Sequence, residues 1–100
     1  MWHVFFTKEA ENGVMQLDKN GLLDADDKKI IATWIKQVKK HGPDSLRAGK
    51  NIWYDHDLKG KWNGYRSSSY SYAGRIIYQV HEKKIIVKVV RITPDHDYKA

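Results

Sequence analysis

The sequence predicts an α+β fold in which a strand and a two-helix hairpin precede a three-stranded antiparallel meander, in the order β-α-α-β-β-β. Three observations predict this fold. The N-terminus alternates in hydrophobicity, two amphipathic stretches follow with helix start and stop signals, and the C-terminal half holds two apolar runs joined by a short turn. A chain of 100 residues corresponds to a single domain, residues 1–100.

The first strand and the first helix lie in the opening residues. Met1–Thr7 is aromatic and β-branched, and its apolar residues alternate as in a half-buried strand. Thr7 is a suitable N-cap for a helix that begins at Lys8, and Asn20-Gly21 is a stop signal. We therefore expect a strand that passes directly into a short helix.

The second helix has the clearer signals. Asp24 is a good N-cap, and the acidic residues of the next turn suit the positive end of the helix dipole. Gly42-Pro43 ends the helix. We expect the two helices to cover one face of the sheet with an apolar stripe formed by Ile30, Ile31, Trp34, Ile35 and Val38.

The remaining residues read as a loop followed by strands. Residues 42–51 are rich in loop-forming types, and Glu82–Lys84 is short enough to join two strands as a hairpin. The strands are predicted to begin in Ile52–Tyr54 and to occupy Tyr65–Tyr72, Arg75–His81 and Ile85–Ile92.

The charge balance favours a polyanionic partner. The net charge is +6, and residues 51–100 carry nine Lys and Arg against five Asp and Glu. The chain has no cysteine, which excludes disulfides and thiolate metal sites and is typical of a reducing cytosol. We expect no signal peptide and no membrane span, because the apolar runs are short.

A resemblance to a known family is carried by the C-terminal half. Leu58-Lys59-Gly60, then Tyr65, then Arg75–Tyr78 stand at the spacing of a leucine-lysine-glycine, glycine-tyrosine, arginine-hydrophobic-hydrophobic-tyrosine run, and the tail contains Asp95–Tyr98. In these features the stretch His56–Tyr98 resembles the RelE/HigB/YoeB toxins of the RelE/ParE superfamily. The N-terminal strand and helical hairpin are similar to that family as well.

The resemblance implies a cytoplasmic toxin of a type II toxin-antitoxin system. Such toxins are endoribonucleases (mRNA interferases) that cleave messenger RNA, often in the ribosomal A site of the 30S subunit, and so inhibit translation. They act without metal or cofactor, through attack of the 2′-hydroxyl on the adjacent phosphate. The implied partners are mRNA, the ribosome and a cognate antitoxin protein.

The resemblance also implies roles for individual residues. A guanidinium suits a scissile phosphate because it is permanently charged and presents a fixed fork of donors. Histidine suits acid–base work because it titrates near neutrality, and a tyrosine can stack on a base. The expected catalytic residues are His56, Arg75, His96 and Tyr98. The expected RNA and phosphate contacts are Lys59, Lys61 and Arg66.

Four alternatives stay open at this point. Two Asp-His-Asp triplets, at 55–57 and 95–97, contain metal-ligand types but lack a close ligand spacing. Ser67–Ser69 lacks the glycine-flanked elbow of a serine hydrolase. A ParE-like toxin that inhibits DNA gyrase, or an inactive binding domain, would share the fold. The serine-rich strand and the acidic tail are less basic than in many family members.

Overall fold

The computed structural model describes residues 1–92, and the predicted order of elements is confirmed. One further strand of two residues, β2, precedes the meander. The elements are β1 (His3–Phe6), α1 (Lys8–Lys19), α2 (Ala25–His41), β2 (His56–Asp57), β3 (Arg66–Ser69), β4 (Gly74–His81) and β5 (Lys84–Ile92), with 3-10 turns at Pro43–Arg47 and Gly60–Trp62.

Both helices begin and end at the predicted signals. Thr7 caps α1, since its Oγ1 accepts a hydrogen bond of 3.0 Å from the backbone N–H of Ala10. At the start of α2, Asp24 and Asp27 each accept a bond from the other's backbone N–H, which forms a capping box. Gly42 ends α2 with a φ of +83°, a conformation that favours glycine.

The five strands form one mixed sheet in the order β1-β5-β4-β3-β2. The pairs β2–β3, β3–β4 and β4–β5 are antiparallel, so the predicted meander is confirmed. β1 is the exception to the antiparallel pairing, because it pairs in parallel with β5 and its His3 lies opposite Lys84. The first and last described strands are therefore neighbours, as the helical crossover between β1 and the meander allows.

The helices and the sheet share one hydrophobic core. Trp34 of α2 is fully buried, and its ring meets that of Tyr78 edge-on at a centroid distance of 5.3 Å. Its indole N–H donates to Ser68 Oγ at 2.9 Å, so the polar atom is satisfied where it is buried. The other buried members are Ala10, Leu23, Ile31, Val38, Leu46, Trp53, Tyr70, Ile76, Ile85, Val87 and Val90.

Two strand predictions need correction. The expectation that a strand begins in Ile52–Tyr54 is wrong, because Asn51 and Tyr54 have positive φ angles of 49° and 48°, which an extended strand excludes. Strand β3 is shorter than Tyr65–Tyr72, since a bond of 3.1 Å from the Tyr70 N–H to the Gly74 carbonyl closes a turn after Ser69. Within residues 1–92 no helix has the length and apolar character that a bilayer span requires.

Candidate active site

A cleft of about 1010 Å³ opens between the N-terminal half of α2, the loop 51–55 and the turn that joins β3 to β4. It brings together His56 and Arg75, two of the predicted catalytic residues. The rest of its wall is formed by Ile30, Thr33, residues 51–55 and residues 69–72. A concave, largely apolar site with a few polar groups is the usual form of a ligand-binding site.

His56 lies at the exposed rim of this cleft, where β2 pairs with β3 opposite Ser67. Its Nδ1 stands 2.8 Å from the carbonyl oxygen of Tyr54. Because a carbonyl oxygen only accepts hydrogen bonds, Nδ1 carries the proton in this arrangement. The lone pair of the neutral ring is then on Nε2, which is the form that a proton acceptor needs.

The loop before His56 is held by one asparagine. The side chain of Asn51 accepts from the Asp55 N–H at 2.9 Å and donates to the Asp55 carbonyl at 3.1 Å. Tyr54 is thereby kept in the left-handed region, which costs an L-residue about 1–2 kcal/mol. Trp53 anchors the loop, since it is buried and its carbonyl accepts from the Ser69 N–H at 2.7 Å.

Arg75 lies in the cleft wall at the start of β4 and is only 4% exposed. Its Nη1 donates to the carbonyls of Ser71, Tyr72 and Gly74 at 3.3, 3.1 and 2.9 Å. Burial lowers the pKa of Arg75 from an ordinary value far above neutrality, so the guanidinium stays charged. The β3–β4 turn thus fixes the orientation of a buried cation.

Asp55 of the cleft wall is the centre of a buried group, the Asp55 cluster, which consists of Asp55, Arg47, Arg66, Ser68 and Tyr78. One carboxylate oxygen of Asp55 accepts from Arg47 Nε at 2.7 Å and Arg66 Nη2 at 3.1 Å. The other accepts from the Ser68 and Tyr78 hydroxyls, each at 2.5 Å. Burial and the adjacent Asp55 carboxylate raise the pKa of Tyr78. All four donors converge on a carboxylate that is 2% exposed.

Arg66 is engaged by protein groups. Besides Asp55, its guanidinium donates to the Pro43 carbonyl at 3.0 Å and to Asp44 at 3.3 Å, and it lies 5.4 Å from the centre of the Tyr78 ring. A phosphate would therefore have to compete with these partners. The role of Arg66 as an RNA contact stays a prediction.

The other predicted residues lie outside the cleft wall or outside the described residues. Lys59 immediately precedes the 3-10 turn after β2, and Lys61 lies within that turn. Both side chains are exposed, and their phosphate contacts stay predictions. His96 and Tyr98 lie outside residues 1–92, and their catalytic roles stay predictions too.

The carboxylates that flank His56 are directed to an arginine. Arg47 contacts Asp55 through Nε and Asp57 through Nη2, both at 2.7 Å. The hydrogen bond from Arg47 lowers the pKa of Asp57. Both aspartates of the first Asp-His-Asp triplet therefore bind Arg47. Residues 1–92 contain no group of three His, Cys, Asp or Glu that could hold a metal ion. Ser68, from the serine-hydrolase alternative, is buried and donates to Asp55.

Sequence reasoning missed four residues that line the cleft, namely Tyr54, Asp55, Tyr70 and Tyr72. The sequence places the tyrosines in strands, where their side chains would alternate between two faces. For Tyr70 and Tyr72 the distinguishing signal is the Ser-Tyr-rich run before Gly74, which is typical of a turn as well as of a strand.

The comparisons with known proteins agree with this architecture. No protein-family model and no curated protein sequence matches the chain. Among solved structures, YafQ of Escherichia coli has a TM-score of 0.74 and 15% identity, over 92% of this chain and 93% of that chain. A copper-bound mutant toxin from Helicobacter pylori has a TM-score of 0.72 and 22% identity, over 92% and 94%.

A third similar structure was solved as a complex. YoeB of Staphylococcus aureus, in a heterotetrameric complex with the antitoxin YefM, has a TM-score of 0.67 and 21% identity, over 91% of this chain and 95% of that chain. The fold is that of the RelE-like toxins. These neighbours span nearly the whole chain, and at their sequence identities they show a shared fold alone.

Proposed function

We propose that this RelE-like chain is the toxin of a type II toxin-antitoxin pair and acts as a metal-independent endoribonuclease on messenger RNA in the ribosomal A site. The observation that carries the proposal is the meeting of His56 and Arg75 in one cleft of a RelE-like fold. A histidine with its lone pair on Nε2 and a fixed guanidinium are two of the groups that RNA cleavage needs.

The proposed reaction needs no group beyond side chains and RNA. A base takes the proton of the 2′-hydroxyl, and the 2′-oxygen forms a bond to the adjacent phosphorus. The bond from phosphorus to the 5′-oxygen breaks, and an acid protonates that oxygen as it leaves. The products are a 2′,3′-cyclic phosphate and a 5′-hydroxyl end.

The residues take the following roles in this proposal. Arg75 stabilises the negative charge of the pentacoordinate phosphate, as preorganised donors do at developing charge. His56 is suited to the base because its Nδ1 proton is held by the Tyr54 carbonyl. His96 then serves as the acid and Tyr98 helps to place the substrate. Lys59 and Lys61 contact neighbouring phosphates, where their exposed ammonium groups add affinity without sequence preference.

An antitoxin is the proposed protein partner. YoeB and YafQ were solved in complexes with YefM and DinJ, and a chain of the same fold needs a comparable inhibitor if it cuts RNA in its host. A net charge of +6 favours an acidic segment lying across the cleft. The protein would then act in the cytoplasm, where ribosomes and mRNA are found.

The experiment expresses the wild type and single variants from a tightly controlled promoter and maps mRNA cuts by primer extension. We expect growth arrest with cuts inside coding regions, and a loss of cutting by at least about a hundredfold in Arg75→Ala and His96→Ala, because each removes charge stabilisation or proton transfer. Arg91→Ala is the matched control, since Arg91 pairs across the sheet from Arg75 but lies outside the cleft wall.

The outcomes separate the candidate functions. Cuts that end in a 2′,3′-cyclic phosphate support the proposed reaction. Growth arrest without RNA cuts would contradict it and point to a gyrase-inhibiting toxin of the ParE kind. Folded, abundant protein with neither arrest nor cuts would refute the toxin function itself.

A further inference from the structure

Three tyrosines surround the cleft in two different settings. Tyr54 and Tyr72 are 72% and 81% exposed, and both line the cleft. Tyr70 also lines the cleft and is only 3% exposed. Two largely exposed tyrosines therefore accompany one buried tyrosine at the site that holds His56 and Arg75.

The hydroxyl of Tyr70 is buried and has no hydrogen-bond partner among residues 1–92. Buried polar atoms are paired in almost all proteins, so an orphan hydroxyl on a residue that lines the cleft points to a ligand that completes it. Burial raises the pKa of Tyr70 to about 12, so the phenol keeps its proton at neutral pH and can donate it in a hydrogen bond.

The conformation of Tyr54 is a second, independent observation. A bulky residue with a φ of 48° is held against its own preference, here by the bonds between Asn51 and Asp55. Glycine would suit this backbone better, and a tyrosine placed there contributes nothing to the core because its side chain is exposed. Strained residues of this kind cluster at binding sites.

The charges of the cleft identify the class of ligand. Among the described residues of its wall, the formal charges are those of Asp55 and Arg75. The Asp55 carboxylate is bound by Arg47 and Arg66, and Arg75 is the one cation among the described lining residues. Flat rings, a buried donor and a cation match a planar heterocycle with acceptors on its edge and a phosphate beside it, which describes a nucleotide.

We propose that the cleft binds the nucleobase next to the cleaved phosphate. The rings of Tyr54 and Tyr72 form its stacking surfaces, and the Tyr70 hydroxyl donates to an acceptor on its edge. This inference rests on the proposed function, and it names the residues that select the RNA sequence at that site. Stacking supplies affinity for any base, whereas the Tyr70 hydrogen bond discriminates between bases.

The decisive variant is Tyr54→Gly. It removes the ring and at the same time relieves the strained φ, so we expect the protein to be at least as stable as the wild type. Its affinity for single-stranded RNA should fall about tenfold or more. The probe is a fluorescent oligoribonucleotide with 2′-O-methyl riboses, which the proposed reaction cannot cleave, and the readout is anisotropy. A purely structural role for Tyr54 would move stability and not affinity.

The other two tyrosines give separate readouts. Tyr72→Ala should weaken the same binding, and Tyr72→Phe should restore it because the ring is kept. Tyr70→Phe should change the distribution of cut sites among bases by about fivefold to tenfold. Tyr65→Phe is the matched control for Tyr70→Phe, since Tyr65 packs against Trp62 and does not line the cleft.

The results distinguish this inference from the proposed function. If the wild type binds RNA without cutting it and Tyr54→Gly loses that binding, the base site would be supported and the ribonuclease function refuted. RNA affinity within twofold of wild type in both Tyr54→Gly and Tyr72→Ala, with the cut-site distribution of Tyr70→Phe unchanged, would overturn the base site. If the tyrosine variants weakened the binding of a labelled oligo-glutamate peptide and not the binding of RNA, the cleft would be a peptide site. The base site would then be overturned as well.

Discussion

Replacing Asp55 by asparagine tests whether the Asp55 cluster stabilises the fold behind the cleft. The bonds from Arg47 and Arg66 would lose their charge assistance, and the new amide nitrogen cannot accept from the Ser68 and Tyr78 hydroxyls. Each of these four losses costs about 1 kcal/mol. We discount the total to about 3 kcal/mol because Arg47 is partly exposed to solvent.

The assay is urea unfolding followed by tryptophan fluorescence, since Trp34 and Trp53 are buried and report on the loss of the core. A loss of about 3 kcal/mol corresponds to a fall in Tm of roughly 12–24 °C for a domain of this size. Asp57→Asn is the matched control. It takes the charge from a partner that Arg47 contacts at the same 2.7 Å, but at an exposed side chain, so it should cost less than about 1 kcal/mol.

The burial of the cluster is the basis of this prediction. An Asp55→Asn variant within about 1 kcal/mol of the wild type, or one that equals Asp57→Asn, would refute the reasoning. It would mean that the cost of desolvating the carboxylate offsets what its four donors contribute.

Two further predictions concern Tyr70 and its neighbours. A Cβ on Gly74 would overlap the Tyr70 ring and stand 2.6 Å from Ser71 Oγ, so Gly74→Ala should cost about 1–3 kcal/mol in urea unfolding; an unchanged midpoint would show that the ring can move aside. Burial raises the pKa of Tyr70 from 10.0 to about 12, so the folded state binds this proton more tightly than the unfolded chain does. The contribution of this proton to the stability of the fold is complete below pH 10 and is lost as the pH rises to about 12. Tyr70→Phe should therefore lose less stability than the wild type over that range, as urea unfolding at several pH values would show. Equal losses in the two proteins would contradict the assignment.

The predicted elements agree with the structure where the signals are local. Thr7 and Asp24 cap the two helices because an N-cap contacts only the residues of the next turn. The strand prediction at Ile52–Tyr54 failed because Asn51 closes a turn through its side chain, and the composition of an apolar run does not show that bond. The site followed the same division, since the family motif predicted His56 and Arg75 but not the tyrosines around them.

The sequence by itself determined the class of the fold, the order of its elements and the basic character of the chain. Periodicity, capping and charge are properties of neighbouring residues, and they survive without knowledge of the tertiary structure. Only the tertiary structure decided that β1 pairs in parallel with β5 and that Asp55 is the centre of a buried cluster. It also decided that Tyr70 has a buried hydroxyl in the same wall as Arg75. These features join residues that are distant in the chain, and which of them meet depends on how the helices and strands pack.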